Sequence, residues 1–366
     1  MKGECLKDKI RQAVVQTERI ASKNLSLPVL ESVYIEAVDG NFVLRTTNLD
    51  VGIEVSVPAK IEQKGTVAVP AALIMGFLNA VSDNSVVKLE EISGNLSIST
   101  SGSSTIIKGF PTDDFPLIPK PEKEDSFMVD ANSFVDGIKS VSYSASISEM
   151  KPEISSVYIY SESKELYFVS TDSFRLAEKK ITVPGISNDI SMIVPYKNAN
   201  EIARVFSEMD TVIEVGFNKN QLYINSEDVY FTSRIFDGVF PDYKQIIPKE
   251  KTTEAVVLKK DLLDVLRLSN VFTDKFNQIN IKISPEDKLF EISSKTQDKG
   301  ENTARIEATL TGEEISLSLN SRYIIDCLNS IEDDGVVVSF YGKNKPVVLK
   351  GAVPKSFTYL VMPLNR

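Results

Sequence analysis

The sequence contains no histidine. That absence removes the Ser-His-Asp and Cys-His nucleophile pairs, the HExxH zinc helix and any imidazole base poised near neutral pH. Carboxylate-pair and lysine chemistry stay open. Cysteine is almost as scarce: Cys5 and Cys327 stand far apart in the chain, which argues against a disulfide framework and against a CxxC zinc site, so both read as reduced thiols. No segment approaches the roughly 18 consecutive apolar residues of a membrane span. Met1-Lys2-Gly3-Glu4-Cys5 has no apolar signal core behind it, so a soluble, cytoplasmic protein is expected. Positive charge is in deficit as well: 41 Lys and Arg against 51 Asp and Glu leave a net charge of −10. An acidic surface favours solubility and opposes tight, direct binding of nucleic acid. EF-hand loop, P-loop and dinucleotide-binding glycine fingerprint are missing too, and no cofactor or metal is expected.

What is present is a repeat. The 366 residues suggest two or three domains. Val67-Ala68-Val69-Pro70, followed by Leu73, Phe77 and Leu78, resembles Met192-Ile193-Val194-Pro195 with Ile202, Val205 and Phe206, and again Leu317-Ser318-Leu319-Asn320 with Tyr323, Ile324 and Leu328. The anchors Pro70, Pro195 and Asn320 step by about 125 residues, the size of a domain. Ser32-Val33-Tyr34-Ile35 recurs as Ser156-Val157-Tyr158-Ile159, and Phe115-Pro116 as Phe240-Pro241. Each third opens near an amphipathic helix marked by Leu6, Ile10 and Val14, by Phe134, Ile138 and Val141, or by Leu262, Leu266 and Ser269. Period-2 segments such as Val33 to Val38, broken by Asp39-Gly40, read as a β-hairpin, and Pro70 and Pro195 suit the first turn of a second helix. Polar linkers near Pro121 and Pro248 give domains 1–123, 124–250 and 251–366. The expected fold class is α+β: three repeated domains, each with two helices packed on one face of antiparallel sheets.

Few residues propose chemistry. Glu90-Glu91, Thr112-Asp113-Asp114 and Glu332-Asp333-Asp334 read as solvated acidic runs or turn residues. Thr171-Asp172-Ser173-Phe174-Arg175-Leu176-Ala177 is different in kind, since a strand runs into a turn-forming trio and leaves it with an arginine between two apolar residues. One reading has Arg175 pairing with Asp172 to hold the turn. The run Tyr359-Leu360-Val361-Met362-Pro363-Leu364 is either a core strand or the lining of an apolar groove. Composition and motifs by themselves leave two function classes, a β-rich interaction scaffold and a carboxylate-pair glycan enzyme. The sequence offers no convincing acid pair for the last.

These segments, with Phe231-Thr232-Ser233-Arg234, Asp237-Gly238-Val239-Phe240-Pro241-Asp242-Tyr243, Leu27-Pro28-Val29-Leu30 and Asn320-Ser321-Arg322-Tyr323-Ile324, resemble signature segments of the bacterial sliding clamp family, the β subunit of DNA polymerase III. The resemblance spans essentially the whole chain. It implies a non-enzymatic processivity factor that closes as a head-to-tail homodimeric ring of clamp domains around duplex DNA, helices lining the hole. It further implies a replicative polymerase subunit, a clamp loader ATPase and other clamp-binding-motif proteins as partners. A ring holds DNA topologically, so an acidic exterior is compatible with a weakly basic lining. DNA-facing candidates are Lys23, Lys139, Lys197, Arg204, Lys259, Arg267 and Arg322, whereas the helix after Pro70 carries no charge. The partner-peptide groove carried over from the family would comprise Ile154, Thr171, Arg175, Leu176, Pro241, Ile246, Val361, Met362, Pro363 and Leu364, with Arg175 on the rim as a donor to the peptide. Phe174 and Gln245 depart from residues common in the family, which bears on peptide preference. The dimer contact would join the edge strand at Ile107 to the helix end at Val271 and Phe272.

Overall fold

The computed structural model describes residues 1–21, 27–81, 85–120, 125–187, 190–353 and 356–364. Six helices occur among the described residues: α1 (Lys7–Glu18), α2 (Ala71–Ala80), α3 (Ala131–Ser142), α4 (Tyr196–Phe206), α5 (Lys259–Val271) and α6 (Ser321–Leu328). Each third carries two of them. The residues that bury α3 and α5 are those the periodicity marks: Phe134, Ile138 and Val141 on one, Leu262, Leu266 and Ser269 on the other. At about 1.5–3 kcal/mol for each large apolar side chain removed from water, that stripe fixes which face of a helix meets a sheet. Helix α1 departs from expectation. Leu6 ends the strand Lys2–Leu6 and is exposed, so Ile10, Ala13 and Val14 make the apolar stripe. The buried Lys7 closes the end of α2 by donating to the Val81 carbonyl at 2.8 Å.

Two compact units can be described separately. The first comprises Met1–Asn132 and Arg204–Ile235. It holds an antiparallel five-stranded sheet in the order Lys60–Gln63, Lys2–Leu6, Val86–Ile92, Asn95–Ser99, Ser104–Ile107. Its eight-stranded sheet runs Asp125–Asp130, Val212–Phe217, Gln221–Asn225, Val229–Arg234, Val51–Pro58, Asn41–Thr47, Ser32–Val38, Gly65–Pro70. Four strands of the first repeat and four of the second therefore share one sheet, joined by the ladder Val51↔Ser233 to Val55↔Val229. The hairpin foreseen at Asp39-Gly40 is there, both residues at positive φ (45° and 82°), as a two-residue hairpin turn requires.

The second unit, Ser133–Ala203 and Phe236–Arg366, repeats the plan. Its nine-stranded sheet runs Ser191–Pro195, Ser156–Glu162, Glu165–Thr171, Arg175–Thr182, Phe357–Val361, Val347–Gly351, Gly335–Phe340, Thr253–Leu258, Ala308–Gly312. Its join is the ladder Arg175↔Val361 to Lys179↔Phe357. The four-stranded sheet Gly300–Arg305, Leu289–Thr296, Gln278–Ser284, Ile315–Asn320 completes it. Helix α6 starts where the Asn320 side chain accepts from the Arg322 and Tyr323 N–H groups, the cap its type favours.

Candidate functional site

The turn between Thr171 and Arg175 is built by short-range bonds. The Thr171 hydroxyl donates to the Arg175 carbonyl at 2.7 Å and accepts from the Ser173 N–H, while the Phe174 and Arg175 N–H groups both donate to Asp172 Oδ1 at 2.9 Å. This holds Ser173 at φ 78°, a left-handed conformation that serine adopts only when its surroundings enforce it. The strand leaving the turn then presents two different faces, because successive side chains alternate.

One face holds helices. Arg175 donates through Nε to Asp172 at 3.0 Å, through one terminal nitrogen to Asp326 of α6 at 2.7 Å and through the other to the Tyr143 carbonyl after α3 at 2.6 Å. Its guanidinium also lies 4.3 Å from the Tyr323 ring centre. Four residues on, the buried Lys179 bridges Asp136 of α3 and Glu332 beyond α6, each at 2.8 Å. Three of the five guanidinium N–H groups and the ring face are thus engaged within the fold, and Arg175 acts as a staple between α3 and α6. The alternative reading, a pair with Asp172, is part of that staple.

The other face carries Leu176 and Glu178. Leu176 joins Tyr160, Val169, Ile193, Phe240, Tyr243, Val348 and Leu360 in one apolar cluster. Tyr167, Tyr160, Tyr158 and Phe240 stack in sequence at 4.9 Å spacings. The segment carrying Pro241 and Ile246 is pinned across this stack. Tyr243 donates to Glu178, which obliges Tyr160 to donate to the Tyr243 oxygen at 2.7 Å. Burial first, and the Glu178 carboxylate next, push the Tyr243 hydroxyl far above its ordinary value. Lys244 completes the tie to Glu162 at 2.6 Å.

The structure collects the ten expected groove residues within the second unit. Leu176 (1 % exposed) packs in the apolar cluster beside its ladder partner Leu360, whereas Val361 (0 %) is paired with Arg175 and lies on the helix face; Ile154, Thr171 and Pro363 are also buried. Pro241 and Ile246 are exposed, and Met362 and Leu364 half-buried. The Met362 N–H donates to the Phe174 carbonyl and the Leu364 N–H to Ser318, both at 2.8 Å. Phe174 stands 61 % exposed at the lip, and Gln245 is bonded to Asp242 at 2.6 Å. Beyond Leu364 lies a polar depression of about 490 Å³ lined by Ser316, Ser318, Lys343 and Asn344.

The basic candidates divide. Lys139, Arg267 and Arg322 are exposed on α3, α5 and α6. Lys197 is exposed and pairs with Glu149 at 2.6 Å. Lys259 donates to the Ile331 carbonyl at 2.7 Å and Arg204 to the Val15 and Gln16 carbonyls, so both spend donors on the fold. Lys23 lies outside the described residues. Lys9, Arg11 and Arg19 are exposed on or beside α1; sequence reasoning passed over them although they occupy polar positions of a helix it had already marked. Among the expected dimer residues, Val271 is exposed and Phe272 half-buried, but Ile107 is only 4 % exposed within its own sheet. Strand alternation turns Ile106, 65 % exposed, outward instead.

Models of three consecutive domains of the DNA polymerase III β subunit match the chain: N-terminal over residues 1–119, central over 128–242 and C-terminal over 244–365. The chain belongs to the DNA polymerase III β subunit family, the bacterial sliding clamps. A β sliding clamp of Synechococcus elongatus is 26 % identical over 374 residues, covering 100 % of this chain and 99 % of the relative. One from Staphylococcus epidermidis is 25 % identical over 359 residues, 95 % of each chain. Among solved structures, the DNA polymerase sliding clamp from Bacillus subtilis superposes with a TM-score of 0.93 at 24 % identity, over 100 % of this chain and 99 % of that one. The sliding clamp from Pseudomonas aeruginosa bound to griselimycin gives 0.95 at 20 %, covering both chains fully. Three α+β clamp domains with antiparallel sheets are therefore the fold, and the clamp is a processivity factor rather than an enzyme. No helix among the described residues is long and apolar enough to cross a membrane.

Proposed function

We propose that two copies of this chain close head to tail around duplex DNA in the cytoplasm and tether a polymerase through a peptide laid over Leu176, Leu360 and Met362. The observation that carries this reading is an incomplete series of joins. Twice within the chain the third strand of one hairpin set pairs with a strand of the neighbouring repeat. The corresponding strands Ser104–Ile107 and Gly300–Arg305 each end a sheet without a further partner strand among the described residues. Joined across two chains, the five-stranded and four-stranded sheets make nine strands, as the intrachain join does in the second unit, and no open edge is left there. Ile106 on the first edge and Val271, with Phe272, at the end of α5 supply apolar side chains for that contact.

Domain limits near residues 123 and 250 follow from the same repeat. Lys139, Lys197, Arg267 and Arg322, joined by Lys9, Arg11 and Arg19, supply a sequence-independent basic lining whose grip weakens with salt. A partner peptide would pack its apolar side chains against Met362 and Ile246 and would find an apolar lip at Phe174. Light scattering is expected to give twice the chain mass. A labelled peptide carrying the short glutamine-and-leucine clamp-binding motif should bind at roughly micromolar affinity, about 8 kcal/mol, and Met362→Ala with Ile246→Ala should weaken it at least tenfold. A monomer that ignores the peptide would leave a clamp fold without the tether role.

A further inference from the structure

The join in the first unit has the same build as the join in the second, and the two can be compared residue by residue. Its turn carries the same bonds: the Thr47 hydroxyl donates to the Val51 carbonyl at 2.8 Å, the Leu49 N–H donates to Thr47, and the Asp50 and Val51 N–H groups both donate to Asn48 Oδ1. Leu49 sits at φ 77° where Ser173 sits at 78°. The ladders run in step from there, with Val51 opposite Ser233 and Arg175 opposite Val361, so Glu54 occupies the place of Glu178. Two residues beyond the recurring Phe-Pro pair, Ile118 occupies the place of Tyr243.

What fastens the crossing linker differs. Over the first join, Ile118 rests on Gly52, and Glu54 receives Lys120 at 3.2 Å and Arg45 at 3.4 Å. Over the second, the hydroxyl of the buried Tyr243 donates to Glu178 and accepts from Tyr160. A join of this build therefore closes without a tyrosine on its carboxylate, and the tie in the second join serves something other than closure. Three residues beyond Tyr243 stands Ile246, 50 % exposed. Tyr243–Ile246 is one 3-10 turn, in which residues three apart lie one above the other, so the anchored ring fixes where Ile246 is held. The neighbouring tie, Lys244 to Glu162, joins two side chains that are 48 % and 49 % exposed, and an ion pair so open to water adds little.

We infer that Glu178 is a positioning residue for the partner groove: it holds Tyr243, and through it the Ile246 wall, and so sets how long a bound peptide stays. This rests on reading the second join as that groove. Tyr243→Phe removes the donor and the acceptor but keeps the ring, and should weaken binding of the labelled clamp-motif peptide about fivefold, through faster dissociation, as expected for one buried hydrogen bond. In an Ile246→Ala background the same change should cost less than about twofold, because the wall it positions is already gone. Glu178→Ala should match Tyr243→Phe, whereas Glu178→Gln keeps an acceptor for the hydroxyl and should bind nearly as the wild type does. Equal losses in both backgrounds would mean that the tie acts on the fold as a whole and would overturn the inference, as would a Glu178→Gln variant as weak as Glu178→Ala. A second measurement needs no peptide: Tyr243→Phe should speed hydrogen exchange of the Ile246 and Ile247 amides about fivefold and leave the Arg175–Lys179 ladder unchanged. Unaltered exchange in the linker would show that the tie does not hold the wall and would overturn the inference too. Failure of the wild-type chain to bind any peptide would instead sink the groove reading beneath it, with the exchange rates still reporting on the tie.

Discussion

Replacing Arg175 with alanine separates a staple from a peptide contact. The side chain is 11 % exposed and leaves behind Asp172 (14 % exposed), Asp326 (43 %) and the Tyr143 carbonyl. Breaking a buried ion pair by deleting one partner costs about 3–5 kcal/mol. The half-open Asp326 regains water, and Asp172 keeps its two backbone donors, so the lower end applies: about 3 kcal/mol, part of it lost packing on Tyr323. Asp326→Ala should cost only about 1 kcal/mol, because the guanidinium retains Asp172, Tyr143 and the ring. In urea, with a slope of about 3 kcal/mol/M for a unit of this size, Arg175→Ala should lower the transition midpoint by about 1 M and Asp326→Ala by about a third of that. Peptide binding is measured in parallel at low urea. An Arg175→Ala protein that unfolds at the wild-type midpoint yet loses peptide affinity more than tenfold would refute the staple and restore Arg175 to the rim.

Two further outcomes follow from burial. Ile106→Asp should shift the protein to chain mass in light scattering while leaving the circular dichroism spectrum intact, whereas Ile107→Asp, with its charge inside the five-stranded sheet, should lower the melting temperature or prevent folding; equal effects would place the contact elsewhere. At alkaline pH the tyrosines act together: burial raises Tyr230 to about 12, burial with Glu165 raises Tyr167 to about 12, and Tyr160 and Tyr243 are raised as well. Since an unfolded tyrosine ionises at about 10, their contribution is fully present below that value and lost as pH climbs toward 12. Burial also raises the Cys5 and Cys327 thiols, whose contribution begins to be lost at the unfolded thiol value of about 8.5, so the melting temperature should start to fall there and drop further between about pH 10 and 12.

Much of this architecture could be read from the sequence because the repeat spaces its hydrophobic strands and helices evenly. The stripes of α3 and α5 were legible, residue for residue, since a 3.6-residue period leaves little choice of face. Leu6 was misplaced because the strand Lys2–Leu6 runs into α1 without a capping side chain or a turn residue between them. The role of Arg175 was hidden for a different reason. Its partners Tyr143 and Asp326 stand 32 and 151 residues away, and no local pattern announces such a pairing. Ile107 and Ile106 illustrate the limit of register: without the neighbouring strand, either alternation fits Ser104–Ile107. The likeness of the Thr47 and Thr171 turns was within reach of the sequence, as Thr-Asn-Leu-Asp-Val beside Thr-Asp-Ser-Phe-Arg, but their common role emerges only from matching bonds.

The two-faced strand Arg175–Thr182 also constrains how this region can change over generations. Arg175 and Lys179 anchor helices, whereas Leu176 and Glu178 build the apolar cluster and its tie to the linker, so inserting one residue between Thr171 and Arg175 would swap the two sets. Guanidinium and ammonium groups would then point at an apolar cluster, and a leucine and a glutamate at two helices. Substitutions in that turn can be absorbed one at a time, but its length cannot drift, and descendants of this chain should vary there in composition far more readily than in residue count.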